Sequence, residues 1–164
     1  MTTEATTNTA FARIRQTISL LFSRPRRTQV AALCHREGSA GREMLLITSR
    51  KAKRLMIPKG WPSSDLPDQI TAQKEAFEEA GIIGSVATKP IGAFNCKKGL
   101  GNGLKVKTRI IVYPLKLKSQ TNLFPESGQR KSYWMPLEAA IERCEVSGLK
   151  KMLQKTEVKK LLSD

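Results

Sequence analysis

The most constraining feature of this chain is a short acidic segment, Asp68–Ala80, which lies between strand-like apolar runs and ends at Gly81. Glu75, Glu78 and Glu79 occupy positions i, i+3 and i+4, which share one face of an α-helix. Gly81 suits the left-handed residue that often follows the last turn of a helix. The segment therefore predicts a helix that presents three carboxylates on one side.

Three like charges on one helix face repel one another unless a cation lies between them. A hard divalent cation with oxygen ligands removes this repulsion, and Mg²⁺ is the first candidate. A solvated acidic face is the simpler interpretation of such a cluster. However, the chain has only 14 acidic residues against 29 basic ones, so acid concentrated in one helix favours a metal site.

Other elements follow from apolar runs and turn residues on both sides of this helix. Strands are predicted at Gln29–Cys34, Met44–Thr48, Pro90–Cys96, Lys105–Leu117 and Ser132–Met135. Helices are predicted at Leu137–Cys144 and Leu149–Leu162. Strands before and after a central helix, with more helix at the end, predict one α/β domain with a mixed sheet covered on both faces.

Length and composition fit a single soluble domain. The chain has 164 residues, enough to bury a core, and no apolar run approaches the roughly 20 residues of a membrane-spanning helix. We divide it into an N-terminal arm, residues 1–22, and a domain, residues 23–164. The arm contains helical apolar spacing at Phe11–Phe22. A short packed helix is the preferred interpretation, and a membrane-surface helix or transit peptide is the alternative.

The net charge of +15 predicts a surface that attracts polyanions: nucleic acid, anionic lipid or polyphosphorylated small molecules. Cys34, Cys96 and Cys144 are widely spaced and odd in number, which predicts reduced, mostly buried thiols in a cytoplasmic protein. His35 is the only histidine and ends a strand-like run, so neither a catalytic triad nor a histidine-containing zinc site is assigned to it.

The segment from Gly60 to Ile82 resembles the signature of the Nudix hydrolases. That signature reads Gly, five residues, Glu, seven residues, Arg-Glu, an aliphatic residue, any residue, Glu-Glu, any residue, Gly and an aliphatic residue. The identical positions are Gly60, Glu75, Glu78, Glu79 and Gly81. The resemblance implies a Nudix-type α/β/α sandwich with a mixed sheet, and cleavage of a diphosphate linked to another moiety by attack of water on phosphorus.

Two signature positions differ. Leu66 replaces the first Glu, and Lys74 replaces the Arg that pairs with it in the family. Lys74 keeps the charge without the planar fork of arginine, and Leu66 offers it no partner. The supporting pair is therefore substituted, while the glutamates assigned to the metal remain.

The resemblance implies roles for the acidic residues. Glu75, Glu78 and Glu79 are the expected ligands of Mg²⁺, with Mn²⁺ as the alternative ion, and the Gly60 carbonyl is a further candidate ligand. One carboxylate must accept the proton of the attacking water. Within the helix Glu78 or Glu79 is preferred for this role. Glu126, on a later loop, is the alternative, since some family members take the base from such a loop.

Weaker matches around Arg26–Cys34 and Gly128–Trp134 resemble the diphosphoinositol polyphosphate phosphohydrolase branch, which also cleaves dinucleoside polyphosphates. The implied partner is a polyphosphorylated small molecule. Cations near the predicted site are candidates to bind its outer phosphates, through bidentate arginine contacts or lysine point charges. They are Arg27, Arg50, Arg54, Arg130 and Lys131.

Two alternatives remain open. The chain is a catalytically weak Nudix-fold protein that binds RNA or another polyanion, or it acts on mononucleotides or a capped RNA end. Aromatic content is 5%, and Phe94, Tyr113, Tyr133 and Trp134 fall within predicted strands, which disfavours a nucleic-acid stacking platform. Trp61 is either a base-stacking residue or a packed one. The sequence does not indicate the oligomeric state.

Overall fold

The computed structural model describes residues 27–99 and 105–163, which form eight strands and four helices. The strands are β1 (Arg27–Gly38), β2 (Gly41–Thr48), β3 (Leu55–Met56), β4 (Lys59–Gly60), β5 (Ile82–Val86), β6 (Gly92–Gly99), β7 (Lys105–Gln120) and β8 (Ser132–Pro136). The helices are α1 (Asp68–Ala80), α2 (Leu137–Arg143), α3 (Ser147–Leu153) and α4 (Thr156–Ser163). None of the helices in these ranges is long and apolar enough to cross a bilayer.

One mixed sheet organises the described part of the chain. Its main path runs β3-β2-β1-β7-β5, while β4 pairs with β1, β6 with β7 and β8 with β2. The pairing of β1 with β7 is parallel and the other pairings are antiparallel. The central strand β1 is buried from Val30 to Cys34, as expected for a strand covered on both faces. The predicted mixed sheet is therefore confirmed.

Each face of the sheet packs against helices. On one face, small residues of α1 (Ala72, Ala76 and Ala80) pack against apolar side chains of β1, β2 and β7. On the other face, α2, α3 and α4 bury larger side chains such as Leu149 and Leu153 against the same strands. This two-sided burial makes the domain an α/β/α sandwich, and it confirms the predicted architecture.

The predicted elements agree with the structure except at a few positions. The predicted helix Leu149–Leu162 is wrong as one element, because the chain forms α3 and α4 with a break at Gln154 and Lys155. The break lets the apolar residues of both short helices face one core. Strands β3, β4 and β5 were not predicted, since β3 and β4 have only two residues each and β5 contains a glycine. The predicted helix at residues 11–22 lies outside the described residues.

Candidate active site

Glu75 of helix α1 packs against Gly60 of strand β4. Strand β4 fixes this glycine, because Gly60 pairs with Val30 of the central strand. A Cβ atom built on Gly60 would overlap the carboxylate of Glu75. Position 60 requires glycine because the Glu75 carboxylate occupies the space that any side chain would need.

Glu79 is the most enclosed carboxylate of the helix, with a side chain that is 8% exposed. Its Oε2 accepts a hydrogen bond from the backbone N–H of Lys59 at 3.0 Å. Its Oε1 accepts one from Nη2 of Arg130. Both oxygens are therefore held by the protein, which satisfies a buried charge that would otherwise be costly.

Burial and mutual repulsion shift the titration of this cluster. The pKa of Glu75 is raised, first by burial and then by the negative charges of Glu79 and Glu78. Burial also raises the pKa of Glu79, although the Arg130 guanidinium and the Lys59 amide oppose the shift. Such shifts mark carboxylates that lack full compensation and are common at functional sites.

The loop after β7, residues 121–131, closes over the end of α1. Gly81 adopts φ 66° and ends the helix, and its carbonyl accepts the Thr121 amide at 3.0 Å. The Glu126 amide donates to the Glu78 carbonyl at 3.0 Å. Glu126, a loop residue in the sequence, is thereby fixed beside the helix that carries the other glutamates.

The Glu126 carboxylate lies between two arginines. Its Oε2 accepts from Nε of Arg130 at 2.6 Å, and its Oε1 is 3.6 Å from Nη1 of Arg50. The Glu126 side chain is 21% exposed and that of Arg50 is 60% exposed. Arg50 therefore contacts the cluster and still faces solvent. A free, solvated loop acid does not describe Glu126.

The two substituted signature positions, Leu66 and Lys74, do not pair with each other. Lys74 Nζ lies 3.2 Å from Glu78 Oε1, one turn further along α1, whereas Leu66 is an exposed apolar residue. The partner that Lys74 lacks at position 66 is thus replaced by Glu78. At 56% and 32% exposure of the two side chains, this pair contributes little stability.

The remaining predicted phosphate ligands lie at the surface. Arg27 is exposed, with its Cζ 5.9 Å from the centroid of the half-exposed Trp61 ring. Arg54 is exposed at a turn in which its amide bonds to Ser49 Oγ. Lys131 is exposed, and its backbone bonds to Thr48. Their roles as substrate ligands stay predictions.

Sequence reasoning missed two features. The first is Thr48, whose carbonyl and Oγ1 accept hydrogen bonds from Arg130 and Lys131. The second is a cavity of about 170 Å³ lined by residues of the paired strands β6 and β7, among them Asn95 and Arg109. Neither had a sequence signal, because both depend on which strands pair.

Among residues 27–99 and 105–163, no three histidine, cysteine, aspartate or glutamate side chains converge as a metal site. The carboxylates of Glu78 and Glu79 contact Lys74 and Arg130 instead. The donor set nevertheless fits a hard divalent cation, because every donor is an oxygen. Burial and then the negative charges of Glu79 and Glu78 raise the pKa of Glu75, so a cation there would relieve part of this penalty. The predicted ligand set therefore suits Mg²⁺ or Mn²⁺ by chemistry.

Comparison with known proteins finds relatives that are named Nudix hydrolases. No protein-family model matches the chain. The chain is 31% identical to Nudix hydrolase 18, mitochondrial, of Arabidopsis thaliana over 103 residues, which cover 62% of this chain and 56% of that protein. It is also 31% identical to Nudix hydrolase 21, chloroplastic, of the same plant over 123 residues, 73% of this chain and 59% of that protein. The chain spans little more than half the length of these relatives.

Solved structures share the fold. A MutT protein from Methanosarcina mazei has a TM-score of 0.62 at 20% identity, over 81% of this chain and 94% of that one. A C. elegans Ap4A hydrolase in a binary complex has a TM-score of 0.60 at 17% identity, over 82% of this chain and 96% of that one. The architecture is thus a Nudix-type α/β/α sandwich. The chain is thus similar in sequence to proteins named Nudix hydrolases and has the fold of these solved structures.

Proposed function

We propose that the protein hydrolyses a phosphoanhydride bond in a polyphosphorylated small molecule. Water attacks one phosphorus, the bond from that phosphorus to the bridging oxygen breaks, and two phosphate-bearing products leave. The observation that carries the proposal is the Glu75 carboxylate packed against Gly60, within the electrostatic influence of Glu79, Glu78 and Glu126, on a fold shared with Nudix proteins.

The ligand set assigned to the cation is the Gly60 carbonyl with Glu75, Glu78 and Glu79. A bound Mg²⁺ or Mn²⁺ ion supplies neutralisation of phosphate oxygens and a lowered pKa for bound water. The chain itself contributes a fixed geometry, since the Lys59 amide and Arg130 orient Glu79. Preorganised groups of this kind avoid the cost of reorganisation during the reaction.

Proton acceptance belongs to a carboxylate beside the attacking water. Glu78 and Glu79 of α1 and Glu126 of the loop are the candidates. The backbone hydrogen bond from Glu126 to Glu78 supports a common site for helix and loop. A raised pKa makes a carboxyl a better base near neutral pH, and the pKa of Glu79 is raised by burial.

The test is a panel of phosphoanhydrides incubated with Mg²⁺ or Mn²⁺, with released phosphate as the readout. Glu78→Gln and Glu79→Gln should each lower turnover by at least ~100-fold, as expected for a principal catalytic group. Glu138→Gln, an exposed glutamate in the first turn of α2, is the matched control. Full rates in both site variants, or no substrate for the wild type, would refute the proposal.

The substrate class we favour is a dinucleoside polyphosphate or a diphosphoinositol polyphosphate. Four exposed cations support a ligand with several phosphates, and one of them, Arg50, lies 3.6 Å from Glu126: Arg27, Arg50, Arg54 and Lys131. A structural neighbour bears the name Ap4A hydrolase, which fits the first class. Arg50→Ala should raise KM for a long polyphosphate more than for a nucleoside diphosphate sugar. Equal effects on the two substrates would count against this class.

A second candidate, binding of RNA or another polyanion by a weakly catalytic protein, is favoured by a specific observation. Two cavities that share Ala93, Phe94 and Asn95 are lined by Lys107 and Arg109 on one side and by lysines of the α3 region on the other. Affinity for RNA that falls steeply with salt, without turnover of any phosphoanhydride, would support this function instead.

The compartment is also a proposal. Cysteine usage favours the cytoplasm, whereas relatives of the chain carry the names mitochondrial and chloroplastic. Fusion of residues 1–26 to a fluorescent protein separates the two, because diffuse fluorescence supports the cytoplasm and organelle fluorescence supports the alternative transit peptide.

A further inference from the structure

Arg130 differs from the other cations of the site because all three of its guanidinium nitrogens donate to protein oxygens. Nε bonds to Glu126 Oε2 at 2.6 Å, Nη1 bonds to the Thr48 carbonyl at 3.2 Å, and Nη2 bonds to Glu79 Oε1. Its side chain is 7% exposed. A planar fork with fixed donors suits such a three-way bridge, which a lysine cannot form.

The three acceptors come from three different elements. Glu79 is on α1, Thr48 ends β2, and Glu126 is on the loop after β7. Arg130 lies 51 residues from Glu79 and 82 from Thr48 in sequence. The guanidinium is therefore a single point at which the helix carboxylate, the loop carboxylate and the edge of the sheet are fixed relative to one another.

Neighbouring cations offer the contrast. Lys131 is exposed and Arg50 is 60% exposed, so their charges face solvent and are available to a ligand. Arg130 is already committed to Glu79 and Glu126. With three of its five N–H groups bonded and its side chain 7% exposed, Arg130 offers a substrate phosphate little access, and giving up a buried carboxylate to bind one would carry a large energetic cost.

We propose that Arg130 is a positioning residue, which sets the distance between the Glu79 and Glu126 carboxylates and does not bind substrate phosphate. This assignment rests on the proposed phosphoanhydride hydrolysis and deepens it. Arg130 acts on the reaction through the two carboxylates that it orients. Its loss leaves the Glu126 carboxylate with the exposed Arg50, 3.6 Å away, and leaves Glu79 with one of its two partners, the Lys59 amide.

The test uses Arg130→Ala and Arg130→Lys in the full chain, with Lys89→Ala as a control for loss of one exposed positive charge. On a substrate that the wild type hydrolyses, kcat should fall about 10- to 100-fold, since displacement of a catalytic group by about 1 Å has that effect. KM should change less than about threefold. Arg130→Lys should resemble Arg130→Ala, because lysine keeps the charge and loses the bridge.

A double variant identifies the route of the effect. If Arg130 acts through Glu126, Arg130→Ala combined with Glu126→Gln should be little worse than the more severe single variant. Independent, multiplying losses would contradict that route.

Amide hydrogen exchange gives a readout without metal or substrate. The Glu126 amide, bonded to the Glu78 carbonyl, should exchange at least ~10-fold faster in Arg130→Ala.

Each outcome of these experiments indicates a different role for Arg130. A rise in KM that grows with phosphate number, at constant kcat and with activity restored by Arg130→Lys, would make Arg130 a substrate ligand and overturn the proposal. A lower denaturation midpoint with normal kcat in the folded fraction would reduce it to a stabilising residue. If the wild type cleaves nothing, the proposed function fails, and the exchange rate of the Glu126 amide still decides whether Arg130 holds the loop.

Discussion

Replacement of Gly81 by alanine tests how closely the loop of residues 121–131 packs against the end of α1. Gly81 has φ 66°, and a Cβ atom built there would overlap the backbone carbonyl of Thr121 and the ring of Phe124. Gly128 has φ 79° but open space around its Cβ position. The two glycines share a left-handed backbone and differ in packing, so Gly128→Ala is the matched control.

The expected magnitudes follow from separate contributions. An alanine in the left-handed backbone conformation lowers the free energy of unfolding by about 1–2 kcal/mol. The same alanine makes the unfolded chain stiffer, which raises the free energy of unfolding by about 0.4–1 kcal/mol. Gly128→Ala should therefore lower the free energy of unfolding by about 1 kcal/mol. At Gly81 the overlap with a backbone oxygen adds about 1–3 kcal/mol. Gly81→Ala should accordingly cost about 3 kcal/mol.

Urea denaturation followed by circular dichroism gives both free energies of unfolding. The free energy of unfolding of Gly81→Ala is subtracted from that of Gly128→Ala. The cost of the left-handed backbone is common to both variants and cancels in this difference. Equal losses would refute the claim that the Thr121 carbonyl packs against the helix end. Gly81→Ala should also lower turnover, because the same loop carries Glu126 and Arg130.

Three further predictions concern the core and its titratable groups. Burial, with nearby positive charge, lowers the pKa of His35; the unfolded chain therefore binds the proton first, and stability should fall as pH drops below about 6.5. This loss should be smaller in His35→Gln when urea midpoints at pH 7.5 and 5.5 are compared. Leu149→Ala, in the core, should cost about 2–5 kcal/mol in urea denaturation, whereas Leu123→Ala, 87% exposed, should stay within about 0.5 kcal/mol. Burial raises the pKa of the Cys34 thiol, so a thiol reagent should modify the partly exposed Cys96 first and Cys34 only on unfolding.

The local sequence determined much of the central helix. Glutamates at i, i+3 and i+4 and a terminal glycine predicted Asp68–Ala80 with its carboxylates on one face, and the structure has the same bounds. Alternation and apolar runs likewise placed most strands. These signals are local, because they depend on residues within one or two turns or on successive residues of one strand.

Only the tertiary structure decided how the site is assembled. The bridge from Arg130 to Glu79 and Thr48 joins residues far apart in the chain, and in the sequence Arg130 had the same character as the exposed Lys131. The break between α3 and α4 was equally hidden, since it follows from the shape of the core they cover. A side chain's spacing in sequence fixes its face on an element, whereas its partners depend on which distant strands and loops the sheet brings together.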